Sequence, residues 1–98
     1  MNYGFHVEAE SEFTEAIRYY LAIDSRIADS FISEIEHGIN AIRRNPLTWP
    51  IIEKDVRRYL VHRFPFGIYY TCEINFITIW AVMHLSRKPG YWKSRQEK

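Results

Sequence analysis

The apolar residues of this chain change their spacing once. From Phe13 to Ile42 they recur at helical intervals, and beyond Pro46 at strand intervals. Phe13, Ala16, Ile17, Tyr20 and Leu21 fall at i, i+3, i+4, i+7 and i+8, one face of an amphipathic helix from about Ala9 to Ile23. Glu8, Glu10 and Glu12 stand in or near its first turn, where the helix dipole favours them. Ile27, Phe31, Ile35, Ile39 and Ile42, flanked by Ile32, mark a second helix. Asp24 or Ser25 can cap it, Arg43 and Arg44 suit its C-terminus, and Asn45-Pro46 stops it. So short a joint predicts an antiparallel helical hairpin sharing one apolar face.

Strand patterns flank the hairpin. Tyr3, Phe5 and Val7 alternate with Gly4, His6 and Glu8, a short half-buried strand. Leu47 to Asp55 reads as a loop with a docked Trp49. Three strands follow, about Val56 to Arg63, Phe66 to Ile74 and Phe76 to His84, separated by breaks short enough for hairpins. In the last, alternation sets Ile77, Ile79, Ala81 and Met83 against Trp80 and Val82. A strand apolar on both faces is central or covered by a partner. The tail after Arg87 has no periodicity. The expected fold is α+β in the order β-α-α-β-β-β: a helical hairpin on one face of a small, mainly antiparallel four-stranded sheet. That leaves the other face bare, and a bare aromatic-rich face implies a partner.

With 98 residues the chain is expected to form one domain, residues 1–98. A lone cysteine, Cys72, rules out an internal disulfide and reads as a buried, inert thiol in a cytosolic protein. The acidic N-terminus is wrong for a secretory signal. The longest apolar run, Phe76 to Met83, is far short of the roughly 20 residues of a membrane helix, so no membrane partner is expected. Net charge is +1, yet residues 1–50 carry four basic and eight acidic groups (−4), and residues 51–98 nine basic and four acidic (+5). A basic half of this kind suits an anionic partner, or is simply a solvated surface.

His6, His37, His62 and His84 have no i+3 or i+4 partner, so no metal site is expected, and isolated glycines offer no phosphate loop or cofactor site. The candidates that remain are basic and aromatic. Alternation puts Arg57, Tyr59, Val61 and Arg63 on one strand face and Arg58, Leu60, His62 and Phe64 on the other. Arg57, Arg58, Arg63, Lys88 and Trp92 are candidate contacts to RNA or another target; arginines at strand ends serve equally as solvated edge residues. His84, Arg87 and Tyr91 form the best polar cluster. Cleavage of RNA through its 2′-hydroxyl needs a base, an acid and a cation: His84 as base or acid, Arg87 for the phosphorane charge, Tyr91 as proton donor or stacking platform. The plainer alternative is a satisfied strand-end histidine, with Tyr91 and Trp92 stapling the tail to the core.

The same residues resemble the RelE/ParE superfamily of toxins of type II toxin–antitoxin systems, also called plasmid stabilisation proteins. The likeness covers nearly the whole chain. It begins with the acidic first helix ending in Tyr19-Tyr20 and the second running to Arg44-Asn45-Pro46. It continues through Val56-Arg57-Arg58 and Arg63-Phe64-Pro65-Phe66-Gly67-Ile68-Tyr69-Tyr70. Ala81-Val82-Met83-His84 and Arg87-Lys88-Pro89-Gly90-Tyr91-Trp92 complete it. The resemblance implies a growth-arresting toxin neutralised by a cognate antitoxin whose C-terminal segment wraps its helices and sheet. Operator DNA would be reached only through the antitoxin.

Two mechanisms stay open within that resemblance. ParE-like members poison DNA gyrase without being enzymes. RelE-like members are metal-independent endoribonucleases that cut mRNA in the ribosomal A site. This chain carries Arg58, Arg63, His84, Arg87 and Tyr91 but lacks the paired strand lysines of the mRNA-cutting members, Lys54 being its only lysine before Lys88. Its pattern resembles ParE-like chains more closely, which favours gyrase. A member that only binds its partner is the third alternative.

Overall fold

The computed structural model describes residues 1–87, 90 and 92–96. Strand β1 (Asn2–Phe5) leads into α1 (Val7–Ile23) and α2 (Ser25–Arg44). Strands β2 (Ile51–Glu53), β3 (Val56–Leu60), β4 (Phe66–Cys72) and β5 (Phe76–His84) follow, and a short α3 (Lys93–Gln96) ends the order. Asp24 is the hinge of the helical hairpin. Its backbone N–H closes α1 on Tyr20, and its carboxylate accepts the Arg26 N–H at the start of α2. The Arg26 side chain adds a second contact that holds this carboxyl below its ordinary pKa.

The sheet is mixed and has five strands in the order β1-β5-β4-β3-β2, not the four expected. The extra strand is β2, in a segment that reads as loop because Pro46 and Pro50 stand just before it. It pairs with β3 over few residues and in an irregular register. The meander β3-β4-β5 is antiparallel as expected, and β1 joins β5 in parallel.

One face of the sheet receives the hairpin. Phe31, Ile35, Ile39 and Ile42 of α2 pack with Tyr59, Val61, Phe66, Ile68, Tyr70, Ile77, Ile79 and Val82. Gly38 lets α2 approach closely: a Cβ there would stand 2.6 Å from the Tyr59 ring. Helix α1 lies nearer the sheet edge and buries less. Leu21, expected on its apolar face, is 53% exposed. Cys72, expected to be buried, is half-buried at the end of β4, its Sγ 3.9 Å from the Met1 sulfur.

Two further expectations are corrected on β5. First, Tyr70 pairs with Ile79 and Tyr69 with Ala81, so Trp80 is an extra residue, a β-bulge. A bulge reverses the alternation beyond it. Ile77, Ile79 and Val82 therefore face the helices, while Ala81 and Met83 face the other way. Second, that other face is not bare. Trp92, 2% exposed, packs on Val56, Tyr69, Ala81 and Met83. The aperiodic tail is the cover that the hairpin does not supply.

Candidate functional site

Between α1 and the outer end of β5 runs a groove of about 650 Å³. Its floor is apolar: Ala16, Tyr20, Phe66 and Val82, with Tyr19 and Ile23 left exposed on the rim. Burial, and next the neighbouring Tyr19, hold the Tyr20 hydroxyl above its ordinary pKa. Glu8, Glu12 and Glu15 project from α1 along one wall, and His84, Arg87 and Arg95 are cationic or titratable groups opposite. The groove exists because β1 ends at Phe5, its ladder closing with the His6 N–H on the Ile79 carbonyl. Beyond that point, among the described residues, the edge of β5 has no strand beside it.

Side chains occupy that edge instead. The Val82 N–H donates to Glu12 Oε1 at 3.1 Å, and the Trp80 carbonyl accepts from Arg95 Nη1 at 2.9 Å. Arg95 and Glu12 meet fork to fork, with both N–O distances 2.8 Å. The Arg95 side chain is 3% exposed. A buried guanidinium needs this arrangement, since an unpaired buried charge costs several kcal/mol, on the order of 3–5. Sequence reasoning missed both residues: Arg95 lies in the aperiodic tail, and Glu12 looks like an ordinary first-turn acid. The spacing of Glu8 and Glu12, one turn apart on α1, was the only signal.

Of the sequence-derived candidates, His84 and Arg87 both line this groove, and the arginines of β3 and its turn lie elsewhere. His84 ends β5 opposite Phe66 and lies edge-on to its ring at 5.3 Å. Its Nδ1 accepts the Ser86 N–H at 3.1 Å and contacts the Ser86 hydroxyl at 2.8 Å. It lines the groove, on the helix side of the sheet. Arg58 pairs with Tyr69 and stands on the opposite side. There it lines a cleft of about 280 Å³ with Tyr69, Met83, Arg87, Trp92 and Lys93. The Arg58 Nε is buried without a hydrogen-bond partner among the described residues. Arg87 borders both cavities.

Of the other two arginines, Arg57 holds structure and Arg63 is mostly exposed. Arg57 donates to the carbonyls of Leu47 (3.1 Å) and Trp49 (2.6 Å), fastening the segment after α2. Arg63 sits in the β3–β4 turn at φ 70°, 3.9 Å from Glu34. Lys88 and Tyr91 lie outside the described residues, and Trp92 is core. Among the described residues, no group of three or more His, Cys, Asp or Glu can hold a metal ion, and no helix is long and apolar enough to cross a membrane.

This fold has known relatives. No curated protein matches the chain in sequence. Among solved structures, a chain of the chromosomal ParDE toxin–antitoxin system from P. aeruginosa superimposes with a TM-score of 0.74 at 15% identity. The match covers 86% of this chain and 95% of that one. At that identity the likeness is one of fold. A family profile goes further: that of the ParE toxin of type II toxin–antitoxin systems, parDE, matches residues 3–89. That span takes in both long helices and, but for Asn2, all five strands, so the chain belongs to the ParE toxin family of type II toxin–antitoxin systems.

Proposed function

We propose that this toxin arrests growth as a stoichiometric, non-enzymatic inhibitor of DNA gyrase in the cytoplasm, and that a cognate antitoxin neutralises it. What supports the non-enzymatic part is the family profile over residues 3–89, together with the placement of Arg58 across the sheet from His84. Cleaving a phosphodiester requires acid, base and cation around one phosphate. His84 and Arg87 line the α1–β5 groove together, while Arg58 lines the cleft on the opposite face and reaches only Arg87. Gyrase as target rests on family membership.

The groove suits an antitoxin segment. Its apolar floor favours the apolar face of a helix or extended strand, and Glu8 and Glu15 on its wall favour basic residues on that segment. The test is a supercoiling assay with purified gyrase and the purified chain. Inhibition that saturates near one toxin per gyrase subunit supports the reading. Unimpaired supercoiling at a large molar excess of toxin refutes it.

One observation favours ribosome-dependent mRNA cleavage as a second reading. Arg58 and Arg87 share a cleft walled by Trp92, and the orphaned Arg58 Nε is a donor that a phosphate oxygen would satisfy. In that reading the phosphate sits on Arg58 and Arg87, and Arg58→Ala abolishes mRNA cleavage.

A further inference from the structure

The hydrophobic contacts fall into two clusters, and the C-terminal segment belongs to only one. Among the described residues, the large cluster under the helices contains none beyond Val82. The small one on the opposite face is Val56, Tyr69, Ala81 and Met83, closed over by Trp92. Residues 92–96 are then tied down at both sides of the sheet. On the β2–β3 side Lys93 Nζ meets Glu53 at 2.8 Å, and the Gln96 amide donates to Asp55 at 3.1 Å. Both contacts are exposed and contribute little. On the β5 side stands the buried Glu12–Arg95 fork, which joins groups 83 residues apart in the chain.

From this division we infer that residues 92–96 form a strap that opens as a unit while the rest of the fold stays closed, and that the Glu12–Arg95 pair is its latch. Opening unpacks Trp92 and breaks the fork, and leaves the helix-side core untouched. It strands little at the sheet edge, because Glu12 keeps the Val82 N–H and the Trp80 carbonyl turns to water. What it uncovers is an apolar patch of Val56, Tyr69, Ala81 and Met83, bordered by Arg58 and Arg87. The strap is thus the built-in occupant of the sheet face that the helical hairpin leaves free. Both latch residues line the α1–β5 groove, so the latch lies within reach of whatever fills it. The inference does not depend on gyrase or on mRNA as the target.

Thiol labelling tests it. Met83→Cys places a reporter thiol beneath Trp92, and the native Cys72, half-buried at the far end of β4, reports on that end of the sheet. Maleimide modification of the two thiols is followed by mass spectrometry in the Met83→Cys protein, and again with Glu12→Gln added, which keeps the shape of the latch and removes its charge. The expected result is that the introduced thiol labels about tenfold faster with Glu12→Gln, from the weight of a charge-assisted hydrogen bond, while the Cys72 rate is unchanged. Arg95→Lys, which keeps the charge and loses the fork, gives the same direction and covers a folding failure of the first variant. Trp92→Ala makes the introduced thiol reactive without either change. Equal rates for that thiol with and without the latch would overturn the proposal. So would Cys72 accelerating in step with it, or a slow reporter thiol in the Trp92→Ala protein.

Discussion

Gly38→Ala sets two physical effects against each other within α2. In a helix interior alanine is favoured over glycine by about 0.8–1 kcal/mol. From propensity alone the substitution stabilises. The structure says otherwise. The new Cβ would lie 2.6 Å from Tyr59 Cε1, 3.0 Å from its Cδ1 and 3.1 Å from Ile68 Cδ1. The Tyr59 ring is 3% exposed and has little freedom to yield, since Trp49 packs on it at 5.0 Å and His62 at 5.9 Å. Overpacking of a buried site costs about 1–3 kcal/mol, and a 2.6 Å approach belongs in the upper half of that range. Subtracting the helix gain leaves a net loss of about 1–2 kcal/mol, or roughly 5–15 °C in Tm for a domain of this size. Urea denaturation followed by tryptophan fluorescence measures it directly. An unchanged or raised midpoint, with the slope preserved, refutes the close packing of α2 on β3 as the reason for glycine here.

Two further outcomes are specific to this structure. Burial pushes the Tyr70 hydroxyl, which donates to the Pro46 carbonyl, from 10.0 up to about 12, with Arg57 acting in the opposite direction. A pKa raised on folding means stability that is complete below pH 10 and lost as pH climbs through 12. The stability difference between the parent and Tyr70→Phe is therefore constant up to about pH 10 and shrinks above it, which denaturant titrations at about pH 8, 10 and 11 will check. For His84, the non-enzymatic reading expects His84→Gln to leave growth arrest intact. Colony counts after induction of the variant without its antitoxin decide it, and full loss of arrest in a folded variant counts against that reading.

Much of the fold was legible because its signals are local. Asp24 beside the Ile27–Phe31–Ile35 stripe marks the helical hairpin, and β3 to β5 follow from alternation between short breaks. What was hidden depends on pairing at a distance. Ile51 to Glu53 become a strand only through β3. The Trp80 bulge has no residue signature, yet it decides where His84 points: unbroken alternation from Ile77 and Ile79 would carry His84 to the face of Arg58. The Glu12–Arg95 fork joins the first turns of α1 to a tail without periodicity, so no window of sequence contains it. The separation of Arg57 from Arg58 could be read from the strand period of two. The structural duty of Arg57 could not, because its acceptors are loop carbonyls.

The most direct test of the central claim is a pulse-label of cells expressing this chain alone from a tight promoter. Thymidine and methionine incorporation are followed over the first minutes after induction. Inhibition of gyrase predicts that DNA synthesis falls first, with a DNA-damage response, while protein synthesis continues. Protein synthesis stopping first, with DNA synthesis continuing, contradicts the claim and points to a ribosome-dependent nuclease working through the Arg58–Arg87 cleft.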